Sequence, residues 1–583
     1  MQKEESFISL WRNSFIRLNI NRFRFENQII KIRFLSLLER DAQYLARLPK
    51  HVPIQFEIND QRKLQEYLKS KYSHAINRVI LHDSLITPFI TQVYNQSNEN
   101  SDQQIQSFYG LEINGVTGYN YAEIIVPHSI QFLRCKSFLV KPKNQGFFNS
   151  IKTIEYEDIS VLSISSENFP QHVENVFFKV STLLIPPNLF PDSTKSIVFV
   201  GKSNPRQTLT LNVLPPKLHR LELGSSFNTI IPPNVLPETL KVLNLGNAFN
   251  KPIGLNVLPK GLEKLVLGFQ FREKISKGEL PLSLKSLVLG SFNHELLPGV
   301  LPKWLEYIRF GDSFDQLVAF PPNIKTIIFT NKESKRVYPI PTSVTFYKNY
   351  NMFFDGSVPK GLKIPKEKNL KELHLYHTFL NQSLPLDFFP SNLMSLTFSY
   401  ENTLKQGDLP PNLSYLKLST YQPIDIGVLP DSLVRLNLHI YSKTPLQSGS
   451  LPPNLTELKI SSERIPIPEN LIPEKVRILK ISCLSEIQQN TLPSNLLSLY
   501  ISSKYLQNPF PFDFLPKSLK DLRFSLENEL VIIDQLFKPD DEGFGIFIPS
   551  ILPQSLDFIS FGQKKIQKRV YIRKGDDLKV DNY

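Results

Sequence analysis

A unit of 22 residues recurs through the middle of this chain, and no other feature limits its fold as strongly. It reads L-P-x-x-L-x-x-L-x-L-G-x-x-F-N-x-x-I. The clearest copies begin at Leu214, Leu236 and Leu258, and weaker ones at Leu280 and Leu301. Their prolines, Pro215, Pro237, Pro259, Pro281 and Pro302, stand 22, 22, 22 and 21 residues apart. A fixed period in this range belongs to solenoids and arrays, in which each repeat packs on its neighbours.

The spacing inside one copy predicts how it folds. Leu243 and Leu245 are two apart, so both point to one face of a short strand. Leu240 sits at the bend leading in. Pro237 has no N–H for a ladder and suits a turn. Gly246 ends the strand where the chain must turn. The expected core of this copy is Leu236, Leu240, Leu243, Leu245, Phe249, Ile253 and Val257. One copy cannot enclose that core alone, and stacked neighbours must supply the rest of the packing. Asn228, Asn250 and Asn293 follow the Phe in three copies. Each either bonds the backbone of the next coil, forming a ladder, or serves as a simple turn residue.

Phe249-Asn250-Lys251-Pro252-Ile253 spells F-N-x-P-I. Together with the L-P-x-x-L-x-x-L-x-L lead, this resembles the FNIP repeat, a relative of the leucine-rich repeat. The resemblance implies a leucine-rich-repeat-like solenoid, mainly β, with one short strand per coil in a parallel sheet. It departs from the leucine-rich pattern in one respect: Asn228 comes five residues after Leu223 rather than three. Proteins with these repeats also resemble F-box proteins at their N-termini, so the resemblance implies an alternative role as a ubiquitin-ligase substrate receptor.

Composition agrees with such a coil. Proline outnumbers glycine, 45 to 23, as one proline-led turn per coil requires, and 41% hydrophobic residues is ordinary for a folded chain. The only cysteines are Cys135 and Cys483, and the chain opens Met-Gln-Lys-Glu-Glu-Ser with no apolar run suited to a signal peptide. An intracellular, reducing compartment, the cytoplasm, is the expectation. The formal net charge of +13 admits nucleic acid or anionic lipid as a partner, or simply a lysine-rich solvent face.

Residues 1–72 read as a helical N-terminal cap or docking module. Phe7, Trp11 and Phe15 recur every four residues, Ile29 to Leu48 is a second helix candidate, and Asp60 suits the cap of a third carrying Leu64, Tyr67 and Leu68. Residues 73–562 form the expected solenoid, of some twenty right-handed coils. It is degenerate around 331–366, where only Val344 and Leu362 occupy plausible core positions, and carries an insertion around 528–548. Residues 95–106 read as a polar loop, and Cys135 as a small buried hydrophobe. Residues 563–583 form a basic tail that frays or caps.

No catalytic motif stands out: there is no H-E-x-x-H, C-x-x-C, P-loop or G-x-S-x-G. His374 and His377 flank a strand three apart, on opposite faces, and make a poor metal pair. Asp540, Asp541 and Glu542 lack the spacing of a calcium loop. No metal or cofactor is expected.

The informative positions flank the second leucine of L-x-x-L-x-L and face away from the core. Across coils they line an open, concave sheet face. Val242, Val266, Val288, Tyr307 and Ile328 would form an apolar patch suited to a protein partner, unless their β-branched types reflect strand preference alone. Tyr415, Lys417, Arg435, Lys459, Lys480, Tyr500 and Arg523 would form a basic stripe suited to nucleic acid, anionic lipid or an acidic peptide, unless it is only a solvated face. The reading is a non-enzymatic protein-interaction scaffold.

Overall fold

The computed structural model describes residues 30–32, 54–69, 78–82, 110–114, 131–135, 151–156, 166, 169–179, 184–202, 206–333, 338–350, 364, 369–380, 383–385, 387–442, 444–462, 467–483, 491–503, 515–526, 537–539, 545–547, 552–553, 555–556, 558–561, 569–574 and 577–582. The chain divides into two compact units, Met1–Phe292 and Asn293–Tyr583.

In the first unit, successive short strands pair in parallel from Ile30–Ile32 onward, in chain order, to Ser286–Leu289. The core residues expected for the second clear copy are all buried, and Leu240, Leu243 and Leu245 have no exposed surface. The proline-led turn closes on the first core leucine: Leu240 N–H donates to the Pro237 carbonyl at 3.0 Å, and Leu262 to Pro259 at 3.1 Å.

Three further devices recur. The phenylalanines stack from coil to coil, with the Phe227, Phe249, Phe271 and Phe292 rings 6.0, 6.1 and 6.3 Å apart and nearly parallel. The asparagine ladder is present. Asn228 Oδ1 accepts from the Asn250 N–H at 2.9 Å, and Asn250 Oδ1 from the Arg272 N–H at 2.8 Å. The hydroxyl two residues after the proline makes a second ladder, which the sequence reading missed. Thr239 Oγ1 donates to the Pro216 and Leu218 carbonyls, and Ser283 Oγ to Lys260 and Leu262, at 2.6–2.9 Å.

Backbone handedness repeats too. Asn188, Asn212, Asn234, Asn256 and Gly278 all have positive φ, and each lies three residues before its proline. Asn, Asp and Gly adopt that conformation at low cost, which explains why they recur at this position in these coils. Gly246, Gly268 and Gly290 form a closer column. An ideal Cβ on Gly268 would lie 1.7 Å from the Gly246 carbonyl oxygen, and one on Gly290 1.8 Å from that of Gly268.

The amino-terminal region differs from the helical expectation. Ile30–Ile32, inside the second helix candidate, is a strand pairing with Ile54–Ile58, so the ladder already runs through this region. The apolar run Ile29-Ile30-Lys31-Ile32 satisfies helix and strand spacings alike, and its β-branched residues settle it as strand. The third expected helix is present at Gln61–Lys69, and Asp60 Oδ1 accepts from the Lys63 N–H at 2.8 Å. Leu64 and Tyr67 are buried. The Phe7-Trp11-Phe15 segment, the loop at 95–106 and the side chains of Leu68 and Cys135 lie outside the described residues.

In the second unit the parallel ladder runs from Tyr307–Phe310 to Asp521–Leu526 and on to Phe558–Phe561. Asn293 continues the asparagine lock onto the Asp315 N–H at 2.9 Å. Left-handed Gly299, Asp387, Gly407, Gly427, Gly449 and Asn470 again precede their prolines by three. The stretch expected to be degenerate holds a regular coil. Phe346–Asn349 pairs with Thr326–Phe329, and Val344, Tyr347 and Asn349 are buried in the places of the usual leucines. Strand length also changes. The Gly-ended strands of the first unit are three or four residues long, whereas those from Ser395–Tyr400 to Asp521–Leu526 have six. A serine or histidine stands where Gly246 and its relatives stood, so the ladder continues for two more residues. The expected insertion contains a small antiparallel pair, Phe537–Pro539 with Gly545–Phe547. The basic tail is not frayed: Arg569–Lys574 and Asp577–Asn582 add to Phe558–Phe561 as antiparallel strands.

Candidate interaction surface

Strand alternation gives each sheet one sealed and one open face. In Tyr415–Thr420 the residues alternate half-buried and buried along the strand. Leu416, Leu418 and Thr420 point inward, and Tyr415, Lys417 and Ser419 outward.

The apolar positions occupy the open face of each unit. In the first, Val266 and Val288 are directly paired, and Val242 sits diagonally from Val266, beside Lys264. In the second, Tyr307 and Ile328 are diagonal, with Thr326 and Arg309 opposite them. All five are half-buried by their neighbours. The most exposed large apolar side chains lie elsewhere, among them Leu211, Leu255, Phe269 and Leu282.

The basic stripe resolves into two zones. At its far end the cations are met by carboxylates. Arg523 donates to Asp521 at 2.9 Å, which raises the guanidinium pKa further, and Lys480 Nζ lies 3.6 Å from Glu457. Tyr500 pairs between Lys480 and Arg523. At the near end the cations sit against tyrosines. Arg435 lies 5.1 Å from the Tyr415 ring centre, and Lys417 Nζ 5.3 Å from that of Tyr376. Lys459 is exposed and has no carboxylate partner among the described residues.

Two sets of surface residues escaped the sequence reading. The regular coil at 341–350 adds Phe346, Lys348 and Tyr350. Lys348 Nζ is 4.9 Å from both the Tyr350 and Tyr376 ring centres, and those rings stack at 4.8 Å. The longer strands add a third outward column: Ser419, His439, Ser461, Ser482, Ser502 and Ser525. The signal lay in the sequence, as Lys-x-Ser at 417–419, 459–461 and 480–482.

His374 also faces this surface. Its Nδ1 is 2.8 Å from Thr397 Oγ1, and its Nε2 is 3.6 Å from Glu372 Oε2. Burial pushes the imidazole pKa down; the Glu372 carboxylate opposes the shift, and Lys348 and Lys417 add to it. The His377 side chain and Asp540, Asp541 and Glu542 lie outside the described residues. Among the described residues, no group of three or more His, Cys, Asp or Glu gathers to hold a metal, and no helix is long and apolar enough to cross a membrane.

Five segments match the family profile of the FNIP Repeat, at residues 206–248, 249–291, 292–332, 400–441 and 485–527. The chain carries FNIP repeats. Those segments include the stacked phenylalanines and the asparagine ladder of the first unit. Among solved structures, one described as "The crystal structure of CroV588 a novel circular LRR protein structure" is similar with a TM-score of 0.52 and 26% identity. That match covers 78% of this chain and 66% of the other, so the FNIP-repeat chain spans just under two thirds of that protein's length. YopM from Yersinia enterocolitica WA-314 matches more weakly, with a TM-score of 0.30 and 19% identity over 85% of this chain and 87% of that one. A search of curated proteins returned no match. The architecture is a leucine-rich-repeat-like parallel β solenoid.

Proposed function

We propose that this FNIP-repeat chain is a non-enzymatic scaffold that holds a protein partner on the outward face of its parallel sheets. The observation that carries the reading is the division of labour across each strand. The leucines, phenylalanines and inter-coil locks are sealed on one side, and the other side is left open to solvent, with side chains that vary from coil to coil. A rigid backbone with a variable face is suited to recognition, since a partner meets it with little ordering cost. The cations and tyrosines displayed on that face are groups suited to binding. The ubiquitin-ligase alternative needs a set of N-terminal helices. Among the described residues of that region the helix is Gln61–Lys69, and strands surround it.

The test is to substitute the open face in both units, as Val266→Lys with Val288→Lys and as Lys417→Glu with Lys459→Glu. Partners recovered by proximity labelling of the full chain are then compared. The reading expects at least one set of partners to be lost while circular dichroism is unchanged. Partners that survive both substitutions would refute it.

A further inference from the structure

We infer that the cation–tyrosine cluster on the second unit's open face binds an extended, carboxylate-rich peptide laid across the strands. This rests on the scaffold reading and names the chemistry of the partner.

Charge is the first argument. On the face from Phe346–Asn349 to Glu457–Ser462, Glu372 lies against His374 and Glu457 against Lys480. Lys348, Lys417, Arg435 and Lys459 have no carboxylate within ion-pair distance among the described residues. An anionic partner completes them.

Ring occupancy separates the kinds of anion. A nucleic acid gains much of its affinity here by stacking bases on open aromatic faces. The tyrosines set among these cations are already engaged: Tyr350 stacks on Tyr376, Lys348 and Lys417 lie against Tyr376, and Arg435 lies against Tyr415. The rings hold the cations in place. The cluster therefore presents positioned charges rather than a stacking platform, and carboxylates need only the charges.

Reach is the third argument. Lys348 and Lys459 are five ladder steps apart, through strands paired in continuous parallel order. At about 4.8 Å per step they are about 24 Å apart, the length of about seven extended residues at roughly 3.4 Å each. Alternate side chains of such a segment would all face the sheet. The hydroxyls of Ser419 and Ser461 lie two residues beyond Lys417 and Lys459 on the same face, placed to donate to the second oxygen of a bound carboxylate.

The experiment uses the full chain and a fluorescein-labelled hepta-glutamate peptide, read by anisotropy, beside a labelled dT8 oligonucleotide. The peptide should bind in a salt-dependent way. Lys417→Glu with Lys459→Glu should weaken it by roughly tenfold or more, because charges on the contact are reversed. Lys405→Glu with Lys517→Glu makes the same change in net charge at exposed turn positions outside the strands of this face and should alter binding less than about twofold. Equal loss in both double variants would mean that net charge alone attracts the peptide, and would overturn the inference. Tighter binding of dT8 than of the peptide, lost in the first variant, would replace it with a nucleic-acid face. No binding of the peptide would end it. If the peptide fails while face substitutions still abolish partner labelling, this inference falls and the scaffold stands. If labelling is unaffected by those substitutions, the scaffold itself falls.

Discussion

The glycine column makes the sharpest claim about how the coils stack, and Gly268→Ala is the change that examines it. The ideal Cβ on Gly268 would meet the Gly246 carbonyl oxygen at 1.7 Å, its carbon at 2.4 Å and the Asn247 Cα at 2.6 Å. All three are backbone atoms, so no side chain can swing aside. Ordinary contact begins near 3.4 Å, and the coils must part by more than an ångström to reach it. The Leu245 N–H to Val266 carbonyl bond, at 3.0 Å, holds them together one residue away. The Phe249–Phe271 stack at 6.1 Å ties them on the other side. Overpacking of this kind costs about 1–3 kcal/mol. Loss of one or two inter-coil hydrogen bonds adds roughly 1 kcal/mol each. The expected destabilisation is about 2–5 kcal/mol by these terms together. Gly254→Ala is the control, since its nearest neighbour is the Val257 side chain at 3.8 Å and its φ is not positive. That change should be neutral or stabilise by about 0.4–1 kcal/mol through the unfolded chain. Urea denaturation followed by circular dichroism compares the two, and hydrogen exchange over residues 241–292 localises the effect. Equal midpoints for the two variants would refute the close-stacked column.

Phe249→Ala should destabilise by about 3–5 kcal/mol, because the ring is buried between two others, and its exchange protection should fall in both neighbouring coils. Asn250→Ala removes the acceptor of the Arg272 N–H and should cost roughly 0.5–1.5 kcal/mol, read as a lower urea midpoint; an unchanged midpoint would reduce the ladder to decoration. His374 should make the second unit acid-sensitive. Its pKa is depressed in the fold, so the unfolded chain takes up the proton first as pH falls below about 6.5, and stability present above that value is lost. His374→Gln should flatten the fall in Tm between about pH 7 and 5, and a slope unchanged from wild type would show that burial of the imidazole is not its source.

The period made the coil legible because each position does one job. Leu240, Leu243 and Leu245 could be assigned inward from spacing alone, whereas Asn250 read as a lock or a turn residue, and the bond it accepts from the Arg272 N–H decides for the lock. The coil at 341–350 was obscured because Tyr347 and Asn349 fill leucine positions, with the polar groups Asn349 Nδ2 and Tyr347 Oη bonded to each other at 3.3 Å. A pattern of leucines cannot show that substitution; a partner strand in register can. The longer strands of the second unit were hidden for a related reason. The copies that show the repeat most clearly end in glycine, so nothing in them announces the two further strand residues at Ser419-Thr420 and Ser461-Ser462. The surface was legible as columns, but its charge was not. Whether Lys480 is free depends on Glu457 lying diagonally across one ladder step, a fact of register rather than of composition.

The reversal at the carboxyl end has a consequence for self-association. A pile of similar coils offers a terminal rim onto which another such pile could grow, as filaments do. Here Arg569–Lys574 runs against the coil strand Phe558–Phe561, and Asp577–Asn582 reverses once more to run with it. That strand reads Asp-Leu-Lys-Val-Asp-Asn, with a charge at every second residue from Asp577 to Asp581, so an incoming coil meets edge charges rather than the L-x-L spacing with which the coils pair.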